Sequence, residues 1–161
     1  MTLRIHGSTG ISGVDGSATA PAVKGTDTDT GIFFGNNAAS IAAGGNERVV
    51  VGANGLDLNG NFVTNVVAMA ADDIDCSAGN YFTKTINGNT TFTISNVPSS
   101  RAFAFVLELT HTSGTVTWPA SVKFPAATAP TLTAGKTHLF VLVSDDNGAT
   151  FRTNAVADFD N

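Results

Sequence analysis

The chain has 161 residues, of which 42% are hydrophobic and 13% are charged, and its formal net charge is −5. Soluble domains carry about a quarter charged residues, so much of this surface must be neutral and polar. The acidic balance and the scattering of Lys and Arg argue against a nucleic-acid groove, which needs clustered basic residues. Abundant Thr, Asn and Gly favour strands joined by turns and predict an all-β fold.

The sequence also bears on membranes and on the cellular compartment. No stretch approaches the roughly 20 apolar residues of a membrane span. The start Met-Thr-Leu-Arg-Ile-His-Gly has no long apolar segment of the kind found in signal peptides. We therefore expect a protein that is made in a cytoplasm and does not insert into a membrane.

Residues 1–26 are predicted to form an N-terminal attachment arm. Its first residues, with Leu3 and Ile5, form a candidate docking strand. A strand of this length could add one edge strand to a partner sheet.

Residues 27–77 are predicted to form a stem of short strands. The candidate strands cover residues 30–34, 40–43, 48–51 and 55–58 and are separated by tight turns. A monomer buries little with such pieces, so we expect the stem to gain its core by intertwining in a homotrimer. The side chains expected at the trimer interface are Ile32, Phe33, Phe34, Val49, Val50, Val51, Leu56, Leu58 and Phe62. Residues 65–72 are the only segment where a short helix is plausible.

Residues 78–161 are predicted to form a compact C-terminal β-module. A strand at residues 81–87 reaches an Asn-Gly-Asn turn, and residues 90–97 return with strict alternation. Two longer strands are expected at residues 101–112 and 136–145, and an Asp-Asn-Gly turn then leads to a last strand. Strands of this length and spacing predict an antiparallel β-sandwich or jelly-roll-like module.

The sequence gives only weak signals for a catalytic site or a reactive thiol. Cys76 is a lone cysteine without a basic neighbour, so a buried structural side chain is favoured over a nucleophile. His111 and His138 fall on strand positions, where a hydrogen-bonded structural histidine is favoured over a general base. No serine occupies a Gly-x-Ser-x-Gly elbow. The sequence thus predicts no enzyme activity and no cofactor.

Two further candidates concern ligands. Asp-Thr-Asp at residues 27–29 and Asp-Asp-Asn-Gly at residues 145–148 are similar to fragments of calcium loops, but neither continues to the closing Glu. Asp-Asn-Gly is also a standard turn sequence, which is the favoured interpretation. Trp118 could stack on a sugar ring, although closing one end of the module core is the favoured role.

Five segments, taken in order, form a recognisable series. Residues 29–34 read Asp-Thr-Gly-Ile-Phe-Phe, residues 47–55 read Glu-Arg-Val-Val-Val-Gly-Ala-Asn-Gly, and residues 58–65 read Leu-Asn-Gly-Asn-Phe-Val-Thr-Asn. This order resembles bacteriophage tail-fibre and tail-collar proteins. The segments at residues 114–125 and 129–137 resemble a small β-module at the ends of phage fibres, including those of cyanophages.

The resemblance implies a homotrimeric structural protein on the virion surface, without catalytic residues. Its expected partners are copies of itself and other virion proteins of the tail or capsid, and a host cell-surface glycan is a further candidate. Two locations stay open: a tail fibre that contacts the host, or a trimeric head decoration or knob protein bound to the capsid. A free carbohydrate-binding module is a weaker alternative.

Overall fold

A computed structural model describes residues 15–160 of the chain. The chain divides into two compact units between Val63 and Thr64. The predicted docking residues Leu3 and Ile5 lie outside the described residues. Among the residues described, no helix is long and apolar enough to cross a membrane.

The described part of the N-terminal unit, residues 15–63, contains seven short strands. They are β1 Gly16–Ser17, β2 Ala20–Pro21, β3 Val23–Lys24, β4 Gly31–Gly35, β5 Ala38–Ala43, β6 Asn46–Gly52 and β7 Gly55–Leu58. The first two strands form a small hairpin, and β3 to β7 form one antiparallel sheet in sequence order. This meander uses the strand positions that the sequence predicts.

Two-residue turns hold the meander in register. Gly35 pairs with Ala38, Ala43 pairs with Asn46, and Gly52 pairs with Gly55, which leaves two residues in each connection. In the middle turn Gly44 and Gly45 both have positive φ, 59° and 70°. Two successive positive φ values define the type I′ turn, whose twist matches that of a hairpin.

The C-terminal unit contains the other ten strands and one 3₁₀ turn at Pro125–Ala127. Its strands are β8 Val66–Ala68, β9 Asp73–Asp75, β10 Tyr81–Asn87, β11 Thr90–Thr91, β12 Thr93–Ser95, β13 Phe103–Ser113, β14 Val116–Thr117, β15 Val122–Lys123, β16 Lys136–Ser144 and β17 Phe151–Phe159. A six-stranded sheet forms in the order β15-β17-β16-β13-β10-β8.

Parallel pairing distinguishes this unit from an ordinary antiparallel module. Strand β10 pairs in parallel with both β8 and β13, and β15 pairs in parallel with β17. Two short parallel sheets, β9 with β12 and β11 with β14, accompany them. Successive passes of the chain therefore stack on one another in register, and β16 and β17 then extend the large sheet by antiparallel pairing.

One hydrophobic core fills the space on the inner face of the six-stranded sheet. Five phenylalanines form its centre and are almost completely buried, namely Phe82, Phe92, Phe105, Phe140 and Phe151. Phe105 meets Phe82 and Phe151 edge-on, with ring centroids 5.5 and 5.7 Å apart. Edge-to-face pairs at this distance stabilise a core beyond the burial of their area.

The all-β prediction is confirmed, and four details of the sequence interpretation differ from the structure. The predicted antiparallel pairing of the C-terminal module is wrong for β8, β10 and β13, which pair in parallel. The predicted helix at residues 65–72 is wrong, because Val66 and Val67 pair with Tyr81 and Phe82 as part of a strand. The predicted return of residues 90–97 along the preceding strand is wrong, because β11 and β12 pair with other strands. The sequence interpretation places residues 66–68 and 73–75 in the stem, whereas in the structure they pair within the C-terminal unit.

Candidate self-association surface

The N-terminal sheet presents one face made of apolar side chains. Strand register places them in two cross-strand rows, because directly paired residues point to the same side of a sheet. The first row contains Val23, Ile32, Ile41, Val49 and Leu58. The second row contains Phe34, Ala39, Val51 and Leu56. We call these two rows the N-terminal apolar face.

Most of this face is open to solvent in the single chain. The exposed fraction of its larger side chains runs from 41% at Ile32 to 65% at Leu56, and only Val49 is half-buried. Neither row contains a charged residue. Contiguous exposed apolar surface of this kind is a candidate contact site.

The opposite face of the same sheet is different. Ser40 and Ala42 are buried there, and Phe33 and Val50 are half-buried at positions paired in register with Ser40. Asp57 continues this row beside Val50. This face already has cover within its own unit, so it offers less apolar surface to a partner.

The predicted interface residues therefore divide between the two faces. Six of them lie on the N-terminal apolar face: Ile32, Phe34, Val49, Val51, Leu56 and Leu58. Phe33 and Val50 lie on the opposite face. The sequence interpretation missed Val23 and Ile41, whose positions follow from register. Phe62 is 76% exposed and lines a shallow groove with Val49, Leu56 and Leu58.

Comparison with known proteins adds no relative. No protein-family model, no curated protein and no solved structure matches this chain.

Trp118 packs mainly against the aromatic core. Its ring stacks on Phe92 at 5.3 Å and lies 4.7 Å from Phe140 and 5.7 Å from Phe124 between centroids. The side chain is half-buried and also borders two shallow pockets. These contacts account for the tryptophan as a core residue, which is the role that the sequence favours.

The two strand histidines have structural surroundings. His138 is fully buried, and its Nδ1 accepts a hydrogen bond from the Asp158 backbone N–H at 3.3 Å. Its Nε2 therefore donates to the Thr133 carbonyl, also at 3.3 Å. The His111 Nε2 donates to the Gly114 carbonyl at 2.9 Å. His138 is thus enclosed by its hydrogen-bond partners, whereas His111 borders a shallow pocket and its buried Nδ1 has no hydrogen-bond partner among residues 15–160.

Cys76 is buried and its thiol is chemically quiet. Burial, together with the negative charges of Asp75 and Asp73, raises the pKa of Cys76 to about 12. A thiol with so high a pKa carries almost no thiolate at neutral pH, and the thiolate is the nucleophile.

The acidic turn segments use their carboxylates within the chain. The Asp146 Oδ1 accepts hydrogen bonds from the Thr150 backbone N–H at 2.8 Å and the Ser144 hydroxyl at 2.9 Å. Asp145 pairs with Arg152 at 2.9 Å. The Asp27 Oδ1 accepts the Asp29 N–H at 3.3 Å. Across residues 15–160, no group of three or more His, Cys, Asp or Glu side chains is placed to hold a metal ion.

Proposed function

We propose that this protein is a structural component of a bacteriophage virion surface and acts as a tail-fibre-like homotrimer. The observation that carries the proposal is the N-terminal apolar face, which is continuous, uncharged and exposed in the single chain. Burial of apolar area is the main source of association free energy, so such a face gains most from contact with another apolar surface.

A second copy of the chain is the partner that best fits this face. An uncharged face can pack on identical copies without placing like charges together, and closed symmetry is the usual outcome for copies of one chain. The number of three copies comes from the resemblance of residues 27–66 to fibre proteins. The particle surface as the location comes from the same resemblance.

Two measurements test the proposal. Multi-angle light scattering of the purified protein should give three times the 16.4 kDa chain mass. A stable monomer at micromolar concentration would contradict the self-assembly. Immunogold labelling of intact virions should then show a few labels at the tail. Many labels spread over the head would instead favour the decoration protein, and no label on purified particles would reject a virion role.

A further inference from the structure

The C-terminal six-stranded sheet also has an exposed apolar face, on the side away from the core. Leu139, Val141 and Val143 alternate outward along β16, while Phe140 and Leu142 between them are fully buried. Register places Val106 of β13 and Val156 of β17 beside these outward residues. We call the five residues Val106, Leu139, Val141, Val143 and Val156 the C-terminal apolar face.

Most of this face is exposed among residues 15–160. Val141 is 50% exposed and Val156 is 61% exposed, and a third valine on the neighbouring edge strand, Val66, is 64% exposed. These exposed fractions equal or exceed those of several residues on the N-terminal apolar face. The chain therefore carries two separate apolar surfaces, one in each unit.

The charged groups next to this face have partners within the chain. The Tyr81 hydroxyl donates to the Glu108 carboxylate at 2.6 Å, which also raises the pKa of Tyr81. Arg152 is paired with Asp145 at 2.9 Å. Contact with this face therefore needs no new counter-charge, and an apolar surface of a second copy of this chain suffices.

The size of the N-terminal apolar face gives an independent argument for a second contact. Five strands about 4.8 Å apart and about 15 Å long give that face a footprint of roughly 360 Å². Stable protein interfaces bury about 800 Å² on each partner. A homotrimer held by the N-terminal face alone would therefore have a small interface, and a second apolar contact would enlarge it.

We infer that the C-terminal apolar face is a second self-association surface, buried against another copy of the chain in the same assembly. This inference rests on the proposed self-assembly, and it adds a place where the C-terminal units meet. The sheet is then an interface element, with its phenylalanine core on one side and a neighbouring copy on the other.

Site-specific thiol labelling tests this burial directly. Val141→Cys places a reactive thiol at the centre of the face, and Thr91→Cys places one at an exposed position on β11, outside the six-stranded sheet. Each variant is treated with a maleimide in the native assembly and again after unfolding in urea, and the native rate is divided by the unfolded rate. Buried Cys76 gives a slow background in the native protein of each variant, and after unfolding it adds one reactive thiol equally to all of them.

We expect the normalised labelling of Val141→Cys to be at least ten-fold slower than that of Thr91→Cys. Val156→Cys should show the same protection. Agreement between the two positions would show that the slow labelling does not come from an effect of one substitution on folding. Equal labelling of all three positions in a particle of trimeric mass would overturn this inference and leave the proposed trimer standing. A monomeric wild-type protein would overturn both.

Discussion

Ile32 and Ile41 lie directly opposite one another on β4 and β5, and both side chains are on the exposed face of the N-terminal sheet. The pair forms the middle of a row that crosses all five strands. An aspartate placed here would remain hydrated in the single chain but would be buried in an assembly. This difference separates an effect on association from an effect on folding.

Ile41→Asp should convert the homotrimer to monomer while the chain stays folded. Ile41 is 47% exposed, so the new carboxylate stays in contact with water in the monomer. In the assembly it would be an unpaired buried charge, which costs about 3–5 kcal/mol and is repeated in every copy. Light scattering measures the mass, and circular dichroism checks that the strands persist.

Asp57→Lys is the matched control for this variant. Asp57 lies on the opposite face of the same sheet, next to Val50, and is exposed. The substitution also changes a charge on a β-strand, yet it should leave the trimeric mass unchanged. If Asp57→Lys dissociates the protein and Ile41→Asp does not, the two faces are assigned the wrong way round.

Gly114→Ala should destabilise the C-terminal unit. Gly114 has a φ of 94°, and a Cβ added there would lie 2.1 Å from the Gly88 carbonyl carbon. A non-glycine residue in a sparsely populated backbone region costs of order 1–3 kcal/mol, and the clash with backbone adds to that figure. Urea unfolding, followed by the fluorescence of Trp118, measures the loss of free energy.

Gly88→Ala provides the comparison at the other side of this contact. A Cβ added at Gly88 meets nothing within 4 Å, and its backbone does not require a positive φ. We expect its unfolding free energy to stay within about 1 kcal/mol of wild type, as is usual for surface substitutions. Similar losses for Gly88→Ala and Gly114→Ala would contradict the close approach of these two segments.

Cys76 should resist thiol reagents in the folded protein. Its pKa of about 12 lies above the ordinary value of 9.0, so the neutral thiol dominates at every pH where the protein is normally handled. Modification should then follow unfolding and accelerate sharply in urea. Rapid reaction of the native wild-type protein with a disulfide reagent at pH 8 would show that the thiol is accessible.

The longer strands and one hairpin could be predicted from sequence, whereas several short strands and the strand partners could not. Residues 136–145 and the Asp-Asn-Gly turn are confirmed as β16 and its hairpin with β17, since local alternation and turn chemistry determine both. Asn87-Gly88-Asn89 carries an equally clear turn signal, yet the chain there turns to a different sheet. Parallel partners such as Tyr81 and Val106 are distant in sequence, so no local pattern specifies them.

For the N-terminal apolar face, the sequence also does not determine which single residues face outward. Residues 32–34 and 49–51 are continuous apolar runs, which carry no alternation to show which side chains face outward. Register with β5 decides this, because Phe33 pairs with buried Ser40 while Ile32 pairs with exposed Ile41. The sequence could therefore predict that β4, β6 and β7 carry the surface, but not which of their residues form it, and it missed the contributions of β3 and β5.

Asp146→Asn should reduce stability near neutral pH and have little effect in strong acid. Hydrogen bonds from the Thr150 backbone N–H and from Ser144 favour the carboxylate and hold the pKa of Asp146 below its usual value of 3.8. A lowered folded-state pKa contributes stability that is present above the unfolded-state pKa and is lost as the pH falls through the folded-state pKa. The asparagine keeps an acceptor oxygen but removes the charge.

The informative quantity is how the difference in unfolding free energy between wild type and Asp146→Asn changes with pH. Urea unfolding of wild type and Asp146→Asn at pH 7 should show wild type to be more stable. This difference in unfolding free energy should remain constant down to about pH 5. It should then narrow as the pH falls through and below the ordinary aspartate pKa near 3.8. A gap that is the same at pH 7 and pH 2 would mean that the substitution acts through turn geometry and that the carboxylate charge contributes nothing. Asp145→Asn, which alters an exposed pair with Arg152, is the control and should show a smaller effect.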